Sequence, residues 1–388
     1  MQNYSHTIPT KIYFGKGQIS RLAEALRPFG AKVLLTYGGG SIKKTGLYDT
    51  VMDILSDEGF TVFECGGIEP NPRIESVERG VKLCRENGIE VILAVGGGST
   101  IDCSKAIAAG VYYEGDLWEM ASTRHGVLKA LPLVDILTLS ATGSEYDGGG
   151  VISNMKINQK LGNSYTFPAV SICDPTYTFT VSKYQTAAGT ADIMSHIFEE
   201  YFSRTPDSDL ADGICETVLK SAIKNLPIAL AEPDNYSARA NLMSISSIAC
   251  SGIPSYGKQS SGWPCHAMEH ELSAFYDITH GVGLAILTPR WMRHILKKDP
   301  SCEWRFVRFA ENVWGMEGED EHALANAAID RLEEFFRESG IPMTLSELGI
   351  GEEHFAEMAS HANRGGYLKN SFVALTDEDI VEIYRACL

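Results

Sequence analysis

The sequence predicts an α/β half built on a largely parallel sheet, followed by an all-helical half. Three observations predict it. Between residues 31 and 144, short apolar runs alternate with helical patterns. Two of those runs end in Gly-Gly-Gly-Ser, at residues 38–41 and 96–99. Beyond Asp174-Pro175 the strand signals fade and helical periodicity takes over.

The elements follow in order. Residues 31–37 (Ala-Lys-Val-Leu-Leu-Thr-Tyr) read as a buried strand that runs into Gly38-Gly39-Gly40-Ser41, then into a helical pattern over 48–58. Residues 61–64 form a short second strand. Residues 74–86 space Val77, Val81 and Leu83 or Cys84 as one helix face. A third strand, 90–95, ends in Gly96-Gly97-Gly98-Ser99, and a helix over 100–109 follows. Residues 134–139 are another strand, closing at Ser140-Ala-Thr-Gly-Ser144. Alternation of this kind implies parallel strands covered on both faces. Helices are expected over 192–201, 210–223, 238–249, 265–276 and 321–339. The natural cut gives domains 1–182 and 183–388. The acidic run 317–322 is read as a solvated loop and helix start.

The bulk numbers set limits. A chain of 388 residues calls for two cores. A net charge of −17 argues against broad binding to nucleic acid or an anionic membrane. The nine cysteines are scattered and odd in number, which favours a reducing compartment over a disulfide framework. The first residues carry no basic segment leading into an apolar run, and no stretch of about 18 apolar residues occurs, so a cytoplasmic protein is expected.

Glycine lets backbone approach a phosphate closely, and free amides at a helix start point at the anion. Two triglycine turns at strand ends therefore point to a dinucleotide, although tight turns use such runs as well. No acid occurs after the first strand until Asp49, while Lys43 and Lys44 are close by. That favours NADP over NAD, because an NAD site usually offers a carboxylate to the ribose 2′-OH. Asp192 and His196 sit one helical turn apart, as do His266 and His270, and His280 follows. One carboxylate with three imidazoles suits Fe²⁺ or Zn²⁺. On residues alone, a metal site and a chance helical pairing are both open. His6, His125, His294, His322 and His361 are read as structural or exposed.

Several motifs together resemble the iron-containing (group III) alcohol dehydrogenases. They are Pro9-Thr10-Lys11-Ile12-x-Phe14-Gly15-x-Gly17, Gly96-Gly97-Gly98-Ser99-x-x-Asp102 and Thr138-x-x-Ala141-Thr142-Gly143-Ser144-Glu145. Further along come Gly189-x-x-Asp192-x-x-x-His196-x-x-Glu199, Cys265-His266-x-x-Glu269-His270-x-Leu272-Ser273-Ala274 and Ile278-x-His280-Gly281-x-Gly283. The similarity runs from about residue 5 onwards and is strongest to the butanol dehydrogenase and aldehyde reductase branch. It implies a dehydroquinate synthase-like plan, with a dinucleotide domain, a helical domain and an active site in the cleft between them. It implies Asp192, His196, His266 and His280 as metal ligands, and His270 as a non-ligand near the substrate. Cofactor contacts are implied at Gly38, Gly39, Gly40, Ser41, Gly97, Gly98, Ser99, Asp102, Thr138, Thr142, Ser144, Asp147, Lys160 and Phe179. The N-terminal strand region resembles one that pairs across a homodimer.

Two departures stand out. Val181-Ser182-Lys183-Tyr184 lacks the proline usual on the approach to Gly189, and Asp147 stands where close relatives tend to carry asparagine. The expected activity is hydride transfer between NADP or NAD and a short alcohol or aldehyde such as butanol or butanal. The metal would serve as Lewis acid, with His270 as proton relay and Asp102 as a weaker candidate. The competing reading is a dehydroquinate synthase-like or glycerol dehydrogenase-like metal and NAD enzyme. A lyase of that kind needs a basic phosphate pocket, for which Lys258, Arg290 and Arg293 are the nearest candidates.

Overall fold

A computed structural model describes residues 1–123 and 129–388. The chain divides into two compact units, residues 7–181 with 234–243, and residues 1–6, 182–233 and 244–388. The expected division at 182/183 differs from this at two segments, each with a packing reason. Met243 is buried among apolar side chains of the first unit. His6 belongs to the second, donating from Nε2 to the carbonyl of Ser251 (2.8 Å) and accepting at Nδ1 from the Tyr256 hydroxyl (2.7 Å).

The first unit is α/β. Its strands are β1 (Lys11–Phe14), β2 (Lys32–Tyr37), β3 (Thr61–Cys65), β4 (Val91–Gly96), β5 (Leu133–Leu137), β6 (Gly149–Asn154), β7 (Gln159–Ser164) and β8 (Val170–Cys173). Its helices are α1 (Leu22–Leu26), α2 (Ser41–Lys44), α3 (Leu47–Asp57), α4 (Ile74–Asn87), α5 (Gly98–Gly110) and α6 (Leu117–Ser122). Six strands form one sheet in the order β1-β8-β5-β4-β2-β3, every pair parallel. β6 and β7 form a separate antiparallel hairpin. The sheet is buried on both faces, as its unbroken apolar runs require. Val33, Leu35, Val91, Leu93 and Val95 pack with Leu22, Leu26, Val51 and Leu55 on one side. Leu34, Ile92 and Ala94 pack with Val77, Val81, Ile101 and Ile107 on the other. Successive residues of one strand thus feed opposite cores.

Connectivity matters for function. After β2 the chain crosses to β3 on one side, and after β4 it crosses to β5 on the other. The carboxyl ends of β2 and β4 therefore flank a topological switch point, where open sheets of this kind hold ligands.

The second unit is helical. It contains α7 (Lys183–Tyr201), α8 (Asp209–Ala231), α10 (Pro264–Tyr276), α11 (His280–Lys298), α12 (Glu303–Phe309), α13 (Glu321–Glu338), α14 (Phe355–Ala362) and α15 (Asp377–Ala386). α9 (Tyr236–Ala249) contributes its last residues. Ser182 starts α7 by accepting from the Gln185 amide (3.2 Å), the kind of cap that satisfies an otherwise orphaned donor. The backbone approaches closely at Gly281: a Cβ there would stand 1.9 Å from the Ala188 carbonyl oxygen. Only glycine lets the start of α11 lie against α7 in this way. Among the described residues, no helix is long and apolar enough to cross a membrane.

Candidate metal centre and dinucleotide turns

Three helices of the second unit supply the candidate ligands. Asp192 and His196 project one turn apart from α7, His266 comes from the first turn of α10, and His280 opens α11. The Nε2 atoms of His196, His266 and His280 lie 3.7, 3.9 and 3.6 Å from a single oxygen, Asp192 Oδ1. These separations exceed a hydrogen bond. They are the spacing of donors arranged around an ion with bonds of about 2.0–2.2 Å. Asp192, His196 and His266 are buried, and the His280 side chain is partly exposed.

Two atoms aimed at this point, Asp192 Oδ1 and His266 Nε2, are buried without a hydrogen-bond partner. Orphaned buried polar atoms are costly, so a donor set of this composition fits a divalent cation. The electrostatics agree. Burial opposes ionisation of Asp192, but the imidazoles of His196, His280 and His266 outweigh it and hold the carboxyl well below its usual range. Burial pushes His196 down to about 3. It also works against a charged His266, yet the Asp192 and Glu199 carboxylates prevail and lift that ring to about 9.

His270 stands beside the cluster, its ring centroid 6.4 Å from that of His266 and 5.7 Å from that of His280. Trp263 caps the start of α10 in a left-handed conformation (φ 50°) and packs its ring against His196 and His266. Its indole N–H donates to Glu200 (3.0 Å). Backbone held in this region by a bulky residue stores strain, and such strain gathers at functional sites.

Of the remaining histidines, His6, His294 and His361 are held in hydrogen bonds, and His322 is exposed beside Glu303. His125 lies outside the described residues. Sequence reasoning named Glu199 and Glu269 only as motif positions. Their contacts with His266 and His280 are made between helices, and the three-residue step from His196 to Glu199 and from His266 to Glu269 was the available signal.

In the α/β unit the two triglycine turns leave adjacent strands at the switch point. Gly38 and Gly39 lead to Gly40, which has φ 97°, and Ser41 begins α2. Space around Gly39 and Gly40 is open, with nothing within 4 Å of an added Cβ. Lys43 rests its ammonium on the rings of Tyr37 and Tyr48, at 4.9 and 4.4 Å. After β4, Gly97 caps α5, which starts at Gly98 and includes Ser99. A Cβ on Gly98 would fall 2.2 Å from the Thr142 hydroxyl oxygen, so the second turn and the 138–144 loop close on each other. Thr138 joins them through its amide, which donates to the Gly96 carbonyl (2.9 Å). The Thr142 hydroxyl accepts from the Ser144 amide at 3.2 Å.

Asp102, one turn into α5, accepts from the Ser144 hydroxyl (2.5 Å) and the Val151 amide (2.9 Å). Burial lifts its carboxyl to about 6, although Lys105 and these donors oppose the rise. Asp147 Oδ1 accepts from the fully buried Lys105 (2.7 Å) and from the Gly149 amide (2.8 Å). Lys160 is buried on the hairpin, on β7. Phe179 follows β8, at the C-terminal end of the short helical turn of residues 175–178.

The chain matches two family descriptions in succession. Residues 9–175 match "Iron-containing alcohol dehydrogenase", and residues 186–388 match "Fe-containing alcohol dehydrogenase family, C-terminal". It is 50% identical over 390 residues to NADH-dependent butanol dehydrogenase A of Clostridium acetobutylicum, covering 99% of each chain. It is 39% identical over 356 residues to the NADPH-dependent aldehyde reductase YqhD of Escherichia coli, covering 90% of each. The crystal structure of NADH-dependent butanol dehydrogenase A from Thermotoga maritima is similar with a TM-score of 0.94 at 39% identity, over 100% of this chain and 99% of that one. Matches of this identity, running through both units, establish that the chain belongs to the iron-containing alcohol dehydrogenase family.

Proposed function

We propose that the protein is a metal-dependent alcohol dehydrogenase and aldehyde reductase that moves hydride between NAD(P)H and a short-chain alcohol or aldehyde such as butanol or butanal. The observation that carries this reading is the convergence of three imidazole Nε2 atoms on Asp192 Oδ1. Asp192, His196, His266 and His280 would hold Fe²⁺ or Zn²⁺. When bound, such an ion supplies Lewis acidity that stabilises negative charge on a substrate oxygen. The chain's own task is to place and protonate. His270, beside the cluster but outside the ligand set, is the proposed proton relay. Asp102, whose oxygens accept hydrogen bonds from Ser144 and Val151, stays the weaker candidate for that role.

The amides of Gly97, Gly98 and Ser99 and the open turn at Gly38, Gly39, Gly40 and Ser41 are the proposed dinucleotide contacts, with Thr138, Thr142, Ser144 and Lys160 beside them. Asp147, which accepts a hydrogen bond from Lys105, and Phe179 complete the proposed set. The absence of an acid in the sequence between Gly38 and Asp49 supports acceptance of NADPH. The butanol dehydrogenase of C. acetobutylicum, 50% identical, is named as NADH-dependent, which weighs towards NADH.

A lyase needing a basic phosphate pocket finds little support. Lys258 is committed to Asp212 (2.9 Å) and the Glu200 carbonyl, Arg290 to Glu333, and Arg293 to Glu333 and Asp330.

Replacing His266 or His280 with alanine tests the reading. Bound metal should fall to background, and reduction of butanal by NADH or NADPH should drop at least about a hundredfold, as for removal of a central electrostatic contact. Full activity in metal-depleted variant protein would refute it. The ratio of kcat/KM for NADPH and NADH in the parent enzyme fixes the cofactor.

A further inference from the structure

We propose that Glu199 and Glu269 are positioning residues that aim two of the three ligand imidazoles. This rests on the ligand assignment above and goes beyond it. Glu199, fully buried on α7, accepts from both the backbone amide (3.0 Å) and Nδ1 (3.2 Å) of His266 on α10. Glu269, fully buried on α10, contacts Nδ1 of His280 on α11. Its other oxygen accepts from the Ser273 hydroxyl at 2.5 Å, which fixes the plane of the carboxylate.

The pattern is a relay across helices. The acid of one helix holds the histidine of the next, and each acid lies three residues after a ligand on its own helix. An imidazole that donates from Nδ1 to a carboxylate must present its lone pair at Nε2, and Nε2 is the atom that faces Asp192 in both rings. The carboxylate also makes the ring a stronger donor to a cation. His196 supplies an internal contrast. Its Nδ1 is buried with no hydrogen-bond partner. Its aim comes instead from sharing α7 with Asp192, one turn away. The three rings are thus oriented by two different devices, and only two depend on a buried acid.

The test is metal affinity, read apart from turnover. Parent enzyme, Glu199→Gln, Glu269→Gln and His266→Ala are each titrated with Zn²⁺ against a chromophoric chelator, and loaded with Co²⁺ for visible absorption. Thermal unfolding without metal serves as control for packing. Parent enzyme should take up one ion and His266→Ala should lose it. Each glutamine variant should bind one ion about 10–100-fold more weakly, with an altered Co²⁺ band and a metal-free midpoint close to that of the parent. Affinities within about twofold of the parent in both glutamine variants, beside loss in His266→Ala, would leave the ligands standing and overturn the positioning role. A parent enzyme that binds no ion would overturn the ligand assignment, and this inference with it. Should a glutamine variant fail to fold, ¹⁵N histidine spectra of metal-free parent enzyme, taken at a pH where the imidazoles are neutral, decide, since there no ion fixes the tautomer. Nδ1–H on His266 and His280 supports the proposal, and Nε2–H on either overturns it.

Discussion

Glu271 shows how a single buried acid can set a pH response. It sits on α10 with His361 Nδ1 3.2 Å away. Burial drives its carboxyl up to about 8; Arg364 opposes the rise, and Glu357 and Glu269 add to it. The folded protein therefore keeps a proton that the unfolded chain, with an ordinary value of 4.5, gives up earlier. The stabilising contribution is complete below pH 4.5 and shrinks as pH rises towards 8, by at most about 1.4 kcal/mol per unit. Glu271→Gln should escape that loss. Its melting temperature relative to the parent should climb between pH 5 and 8.5, by up to roughly 10 °C at about 2–4 °C per kcal/mol. A difference that stays flat in parallel thermal scans would count against the assignment. At this scale the pairing of Asp192 with His196 was legible, because a four-residue step places two side chains on one helix face whatever the fold. The partners of His266 and His280 were not, since reach from one helix to another is decided by packing.

Elements tell a similar story. The strands and helices around the two triglycine turns were readable within a residue or two, because fully buried strands leave unbroken apolar runs. The expected strand 134–139 is observed as Leu133–Leu137. The expected helix 192–201 begins earlier, at Lys183, because Ser182 caps it, and the Gly189 segment is buried helix with no mark of amphipathicity. The β6–β7 hairpin escaped notice, since Gly149-Gly150 and Gln159-Lys160 offer little strand propensity and the pairing is stabilised by contacts with α5 and α6. α11 was hidden by Gly281, Gly283 and Pro289. Gly281 yields a sharp prediction. Alanine there would press a methyl group into the Ala188 carbonyl and move the first turn of α11, which carries His280. Gly281→Ala should cost roughly 1–3 kcal/mol or more and lower bound metal, checked by chemical unfolding and metal analysis. Retention of both would show that the two helices can part without consequence.

On the scale of the molecule, the fold class was legible and the exact partition was not. A helix such as α9, whose residues divide between two packing units, looks in sequence like any other amphipathic segment. The sheet edge motivates an expectation about assembly. β1 pairs with β8 on one side and carries the exposed Phe14, and among the described residues no strand lies on its other side. Edges of this kind recruit a further strand. A homodimer through β1 is the expected assembly, and light scattering should give about twice the 42.4 kDa chain mass; a monomer at micromolar concentration would exclude it.

The scattered origin of the proposed ligands has a last consequence. Asp192, His266 and His280 come from three separate helices, so the unfolded chain has no preformed claw with which to capture an ion. Cation uptake then rewards the native state alone, and the reward grows with the logarithm of free cation, to about 4 kcal/mol at a thousandfold excess over the dissociation constant. Endurance against heat or chelators is in that measure a property of the surrounding medium, shared between polypeptide and bath.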